Sequence, residues 1–170
     1  STTNLTTTDV TELTASTGSG ATSISGDADL ATVTVTGVDA NDTSLTLSAA
    51  TVDLDIAGTA DTANDAISIS AVGAVDLDTT NGGQQVEKLT LSGNAAAVTY
   101  TVSNATAANT TYTITGDQDV TLAGAGTQFT GASFTDSSTA GSTTLALSGS
   151  GGGAVDVSLW GVLSGGLDLT

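Results

Sequence analysis

The chain contains no cysteine, proline, methionine, histidine or arginine, and Lys88 is its single basic residue. Each absence removes a class of chemistry. Without cysteine no disulfide can staple a small fold, although this says nothing about compartment. Without His, Cys or Arg there is no imidazole base, no thiolate nucleophile and no guanidinium to hold developing negative charge. Eighteen carboxylates against one lysine give a net charge of −17. Such a surface repels nucleic acid and anionic membrane, because binding phosphate requires Lys or Arg. No apolar run approaches the roughly 20 residues of a membrane-spanning helix. Neither a signal peptide nor an initiating Met is present, so the chain reads as a segment of a longer or processed protein. Aromatics are few: Tyr100, Tyr112, Phe129, Phe134 and Trp160.

What remains is about one third Ser and Thr, with Ala, Gly, Val, Leu, Asp and Asn. High charge with few aromatics also marks disordered chains. Here, however, the apolar residues are mainly Val, Ile and Leu, and they alternate with polar ones. The stretch from Val86 to Gly124 shows this best. Lys88-Leu89-Thr90-Leu91-Ser92, Val98-Thr99-Tyr100-Thr101-Val102, Tyr112-Thr113-Ile114-Thr115 and Asp119-Val120-Thr121-Leu122-Ala123 carry the two-residue period of half-buried strands. Between them lie Gly93-Asn94, Asn104, Asn109 and Gly116-Asp117, residues that turn a chain without strain.

The same unit recurs at 32–36, 44–48, 52–56, 66–70, 74–78, 127–130, 132–135, 144–148, 155–160 and 167–169, about one strand per 11 residues. Residues 1–23 are weakly patterned and read as an N-terminal edge or linker; residues 24–170 read as one repetitive body. Short, similar strands with regular turns mean a β-solenoid, with an Ig-like β-sandwich as the alternative. The solenoid is favoured because a thin core needs only small aliphatics, and because Thr recurs at positions where it can stack from coil to coil. At roughly 20 residues per coil and about 4.8 Å per coil, some eight coils would make an all-β rod about 40 Å long.

The sharpest local motif is Asp-x-Asp, at Asp27/Asp29, Asp53/Asp55, Asp76/Asp78 and Asp117/Asp119. On a strand, residues i and i+2 share a face, so both carboxylates would point outward together. A calcium ion would relieve their repulsion, and stacked coils could offer it oxygens from two rungs. The plainer reading is an acidic surface that keeps β-structure soluble and discourages edge pairing. The loop clusters Asp39-Ala40-Asn41-Asp42 and Asp61-Thr62-Ala63-Asn64-Asp65 also offer oxygens, but Asx turns account for them. Four Asn-x-Ser/Thr sequons, at Asn4, Asn41, Asn104 and Asn109, are too few above chance in so Thr-rich a chain to argue glycosylation. Paired carboxylates can hydrolyse glycosides, but the aromatic platforms and basic residues of such sites are missing, so no enzyme is expected. Thr-x-Thr arrays such as Thr32-Val33-Thr34 could order ice, yet the spacing of the repeats along the sequence drifts.

Two segments carry a family resemblance. Val86-Glu87-Lys88-Leu89-Thr90-Leu91-Ser92-Gly93 resembles a recurrent strand opening, and Tyr112-Thr113-Ile114-Thr115-Gly116-Asp117-Gln118-Asp119-Val120-Thr121-Leu122 a strand, Gly-Asp, strand coil. Both are similar to segments of bacterial calcium-dependent surface-layer (S-layer) proteins and the related RTX-type surface adhesins. The resemblance implies a secreted, extracellular protein at the bacterial cell surface. It also implies a β-solenoid that self-assembles into a lattice supported by calcium, with attachment to cell-surface polysaccharide through another domain. The RTX nonapeptide Gly-Gly-x-Gly-x-Asp-x-apolar-x is absent; Gly151-Gly152-Gly153-Ala154-Val155-Asp156 only approaches it, so no RTX ligand set transfers. The alternatives left by the sequence are an adhesin stalk acting as a spacer and an Ig-like extracellular binding module.

Overall fold

The structure, a computed structural model, describes residues 3–16, 22–26, 29–30, 32–36, 43–47, 51–57, 66–71, 73–81, 88–103, 110–129 and 131–148. Side chains are described for these except at 3–4, 16, 22, 26, 34–36, 43–47, 51–57, 66 and 78–81. The expected strands at 155–160 and 167–169, with Trp160 and Leu163, lie outside the described residues.

The protein is a parallel β-solenoid with two strands per coil. Strands facing one way, here sheet A, are β1 (Thr3–Thr6), β3 (Thr22–Gly26), β5 (Thr43–Leu47), β7 (Ala66–Ala71), β9 (Lys88–Gly93), β11 (Thr111–Gly116) and β13 (Ser133–Asp136). Sheet B holds β2 (Glu12–Ser16), β4 (Thr32–Thr36), β6 (Thr51–Ala57), β8 (Ala74–Asn81), β10 (Val98–Val102), β12 (Val120–Ala125) and β14 (Thr143–Ser148). The chain alternates between sheets, so each strand pairs with strands two before and two after it. Every ladder is parallel, as expected when each coil lies on a copy of itself. Seven rungs at about 4.8 Å give a described stack of about 30 Å.

The alternation sets the burial. In β9, Leu89 and Leu91 are fully buried, Lys88 is exposed, and Thr90 and Ser92 are half-buried. Each buried leucine contributes about 2 kcal/mol relative to exposure. Register then stacks like on like. Ile67, Leu89, Tyr112 and Phe134 form one inward column of sheet A, and Val75, Tyr100, Leu122 and Leu145 one of sheet B. Both columns belong to a single core. The Tyr100 hydroxyl crosses that core, donating to the Ser92 carbonyl at 2.8 Å and the Ile69 carbonyl at 3.3 Å. Burial pushes this phenol well above its ordinary range.

Three local expectations change. Residues 3–16 are not a loose edge: β1 and β2 pair in register with β3 and β4 and make the first rung. Residues Gly126–Phe129 form a 3-10 turn rather than a strand. There the Gln128 side chain accepts the Ala125 N–H at 2.7 Å, and Phe129 turns into the core. It meets Tyr112 edge-on at 5.7 Å, while Tyr112 and Phe134 stack at 5.1 Å from adjacent coils. The core is therefore not purely aliphatic: its C-terminal rungs are filled by aromatics. The third change concerns Gly116, with φ of 106°. It brings its backbone against Gly93, whose carbonyl accepts the N–H groups of Asp117 and Gln118 at 2.9 and 3.0 Å. A corner, not a strand, therefore occupies Asp117-Gln118-Asp119.

Candidate functional site: two unlike outer faces

Among the described strand side chains, those that do not enter the core face outward, and register places the remaining strand positions in the same columns. On sheet A, Thr6, Ser25, Ser70, Ser92 and Thr115 fall in one column, with Thr46 at the same register. Ser23, Ser68, Thr90, Thr113 and Thr135 fall in the next, with Asn4 and Ser44 at matching positions. Hydroxyls bond across rungs: Ser92 with Thr115 at 2.5 Å, and Ser133 to Thr111 at 3.0 Å. Asn94 donates to Ser70 at 3.0 Å. The seven strands of this sheet carry two charged residues, Lys88 and Asp136. The Asp136 carboxylate turns back on its own loop, accepting from the Ser138 N–H at 2.9 Å and the Ser138 hydroxyl at 2.6 Å.

Sheet B differs. Its strands carry Glu12, Asp53, Asp55, Asp76 and Asp78 and no basic residue. The register sets Asp53 beside Asp76 and Asp55 beside Asp78 on adjacent strands β6 and β8. Thr32 and Thr34 flank the pair of columns on β4, and Thr101 continues the first on β10. Asp76 is exposed between fully buried Val75 and Leu77. Four carboxylate-bearing positions thus form a two-by-two array, about 4.8 Å apart across rungs and about 6.7 Å along each strand. Oxygen-only donors of this kind, with neighbouring hydroxyls, suit a hard divalent cation. Among residues with described side chains, no three carboxylates come together.

The other two acidic pairs are placed differently. Asp29 is exposed in the turn between β3 and β4, and Asp27 lies outside the described residues, as do the loop clusters 39–42 and 61–65. Asp117 and Asp119 sit at the corner between β11 and β12. There Asp119 accepts the Ser142 N–H of the next coil at 2.7 Å, and Asp117 accepts from the Gln118 amide at 3.2 Å. The Asp119 contact tethers one corner to the next. The sequence predicts stacked Thr; what it does not show is that the hydroxyl columns gather on one nearly uncharged sheet. Their signal, a hydroxyl at both outward positions of nearly every second strand, is hidden by variable coil length. Thr3 pairs with Thr22, 19 residues on, whereas Val75 pairs with Tyr100, 25 residues on. The corners absorb this drift, and the columns stay in line.

The chain matches no protein-family model, no curated protein and no solved structure.

Proposed function

We propose that this β-solenoid is a structural segment of a secreted bacterial surface protein, a tile of a self-assembling S-layer-type lattice outside the cell. It works by geometry rather than catalysis: a rigid rod whose faces meet copies of itself, with calcium neutralising the acidic side. The observation that supports this best is the stacking of Asp53 on Asp76 and Asp55 on Asp78. Like charges placed directly opposite on neighbouring strands destabilise a sheet. A divalent cation shared between rungs offsets that cost and can also bridge to the acidic face of another copy. The Ser- and Thr-rich surface and the acidic composition suit an extracellular rod. The second reading, a spacer in an adhesin stalk, uses the same rod without self-association.

The test is calcium titration of the chelated protein, followed by light scattering and circular dichroism. Calcium is expected to drive assembly of the wild type at concentrations where magnesium does not. Asp53→Asn/Asp76→Asn should raise the calcium required by at least tenfold, while Asp29→Asn leaves it unchanged. Assembly indifferent to calcium would remove the ion from the proposal. A chain that stays monomeric under all conditions would make it a spacer.

A further inference from the structure

A protein with net charge −17 meets a copy of itself against strong repulsion, unless the touching surfaces are the ones without carboxylates. The outer face of sheet A is such a surface. Five of the eighteen carboxylates lie on sheet-B strands and a single one, Asp136, on a sheet-A strand, where it is held by Ser138. Of the other described carboxylates, Asp9, Asp29, Asp117 and Asp119 all lie in the connections between strands. A chain using charge only for solubility has no reason to keep seven successive strands of one sheet almost free of it.

We infer that the hydroxyl face of sheet A is a homotypic contact, packing against the same face of a second copy of this chain. This rests on the self-assembly proposed above and names the surface that carries it. The face is also pre-ordered. The Ser92–Thr115 and Ser133–Thr111 hydrogen bonds hold outward hydroxyls in fixed positions before contact, which lowers the ordering cost of association. Short side chains on a parallel stack make a flat surface that a copy can approach closely. Carbohydrate is a poorer occupant, because Tyr100, Tyr112, Phe129 and Phe134 are all buried and no aromatic platform faces outward among the described residues.

The size of the face sets the strength. About 30 Å by about 16 Å gives on the order of 500 Å² per copy and about 1,000 Å² in total. That is the lower limit for a specific interface, so an isolated pair is weak and an array gains by multivalency. The symmetry is also informative. A face-to-face contact is isologous and closes on itself. Growth then needs a second contact elsewhere, and the acidic face of sheet B, bridged by divalent cations, supplies one. Alternating hydroxyl and ion-bridged contacts build an open array from a single tile.

Because the chain has no cysteine, one introduced thiol reports one position. Ser68 is exposed on β7, the middle strand of sheet A, near the two-fold axis of a fully overlapped pair; Thr101 is exposed on sheet B. Under mild oxidation in assembling conditions, Ser68→Cys is expected to form disulfide dimers at least tenfold faster than Thr101→Cys. As a second measurement, Thr90→Asp/Thr113→Asp should abolish assembly, while the same charge added as Thr101→Asp/Thr121→Asp leaves the hydroxyl-face dimer intact. If wild type assembles but Ser68→Cys does not cross-link preferentially, or Thr90→Asp/Thr113→Asp assembles normally, the inferred face is wrong and the lattice stands. If wild type never assembles, both fall. Shaping of ice crystals by monomers, lost in Thr90→Asp/Thr113→Asp, would assign the face to ordered water and overturn the inference.

Discussion

Thr143 opens β14 in an inward column whose preceding members are Val98 and Val120. It is 4 % exposed, and its hydroxyl has no hydrogen-bond partner among the described residues. A hydroxyl buried without a partner costs about 1–3 kcal/mol of desolvation. Thr143→Val replaces Oγ1 with a methyl of similar size and continues the valine column. No cavity opens and no hydrogen bond is lost, so the expected change is a stabilisation of about 1–2 kcal/mol. For a chain of this size that corresponds to a rise in Tm of about 2–8 °C. Thr144, one residue on, is half-buried on the outer face of the same strand; Thr144→Val should change stability by no more than about 0.5 kcal/mol. Urea unfolding followed by circular dichroism reads both variants, and the unfolding slope checks that the denatured state is unchanged. A Thr143→Val variant that is neutral or destabilised, with the slope unchanged, would show that the hydroxyl is satisfied and refute the reasoning.

Two further predictions follow from the core and the corners. Gly116 combines φ of 106° with a site where a Cβ would collide with the Gly93 carbonyl oxygen. A left-handed backbone alone costs an alanine about 1–2 kcal/mol, and Gly116→Ala should cost at least twice that in urea unfolding; a loss no larger than the backbone figure would rule out the Gly93 contact as the cause. Tyr100 bears on alkaline stability. Its folded-state pKa is raised by burial above the unfolded value of 10.0, so its contribution is complete below about pH 10 and declines as pH rises further. Wild type should therefore lose stability above about pH 10 more steeply than Tyr100→Phe in pH-stepped thermal melts, and parallel curves would remove Tyr100 as the cause.

Much of the fold is legible in the sequence because alternation is a local property. Leu89 and Leu91, or Val75 and Leu77, announce a strand and its inner face without reference to any other residue. The first rung escaped because β1 has only Leu5 among Thr and Asn, and its strand state comes from pairing with β3. Gly126–Phe129 was misread because Phe129 reaches the core from a turn, where period two does not apply. Asp-x-Asp identified acidic pairs but could not separate them. Asp53, Asp55, Asp76 and Asp78 fall on strands, where i and i+2 share a face, whereas the positive φ of Gly116 diverts Asp117 and Asp119 into a corner.

By itself the sequence determined that this chain makes short parallel-stacking strands, that it is strongly acidic, and that imidazole, thiol and guanidinium groups are missing. Those follow from composition and from a period of two residues, which need no knowledge of the partner strand. Only the tertiary structure decided which outward residues become neighbours. Coil lengths from 19 to 25 residues scramble the spacing along the chain. Hydrogen bonding between coils restores it in space, because parallel ladders hold strand to strand while the corners take up the difference. That register set Asp53 on Asp76, aligned the hydroxyls of sheet A, and divided one acidic rod into two unlike faces.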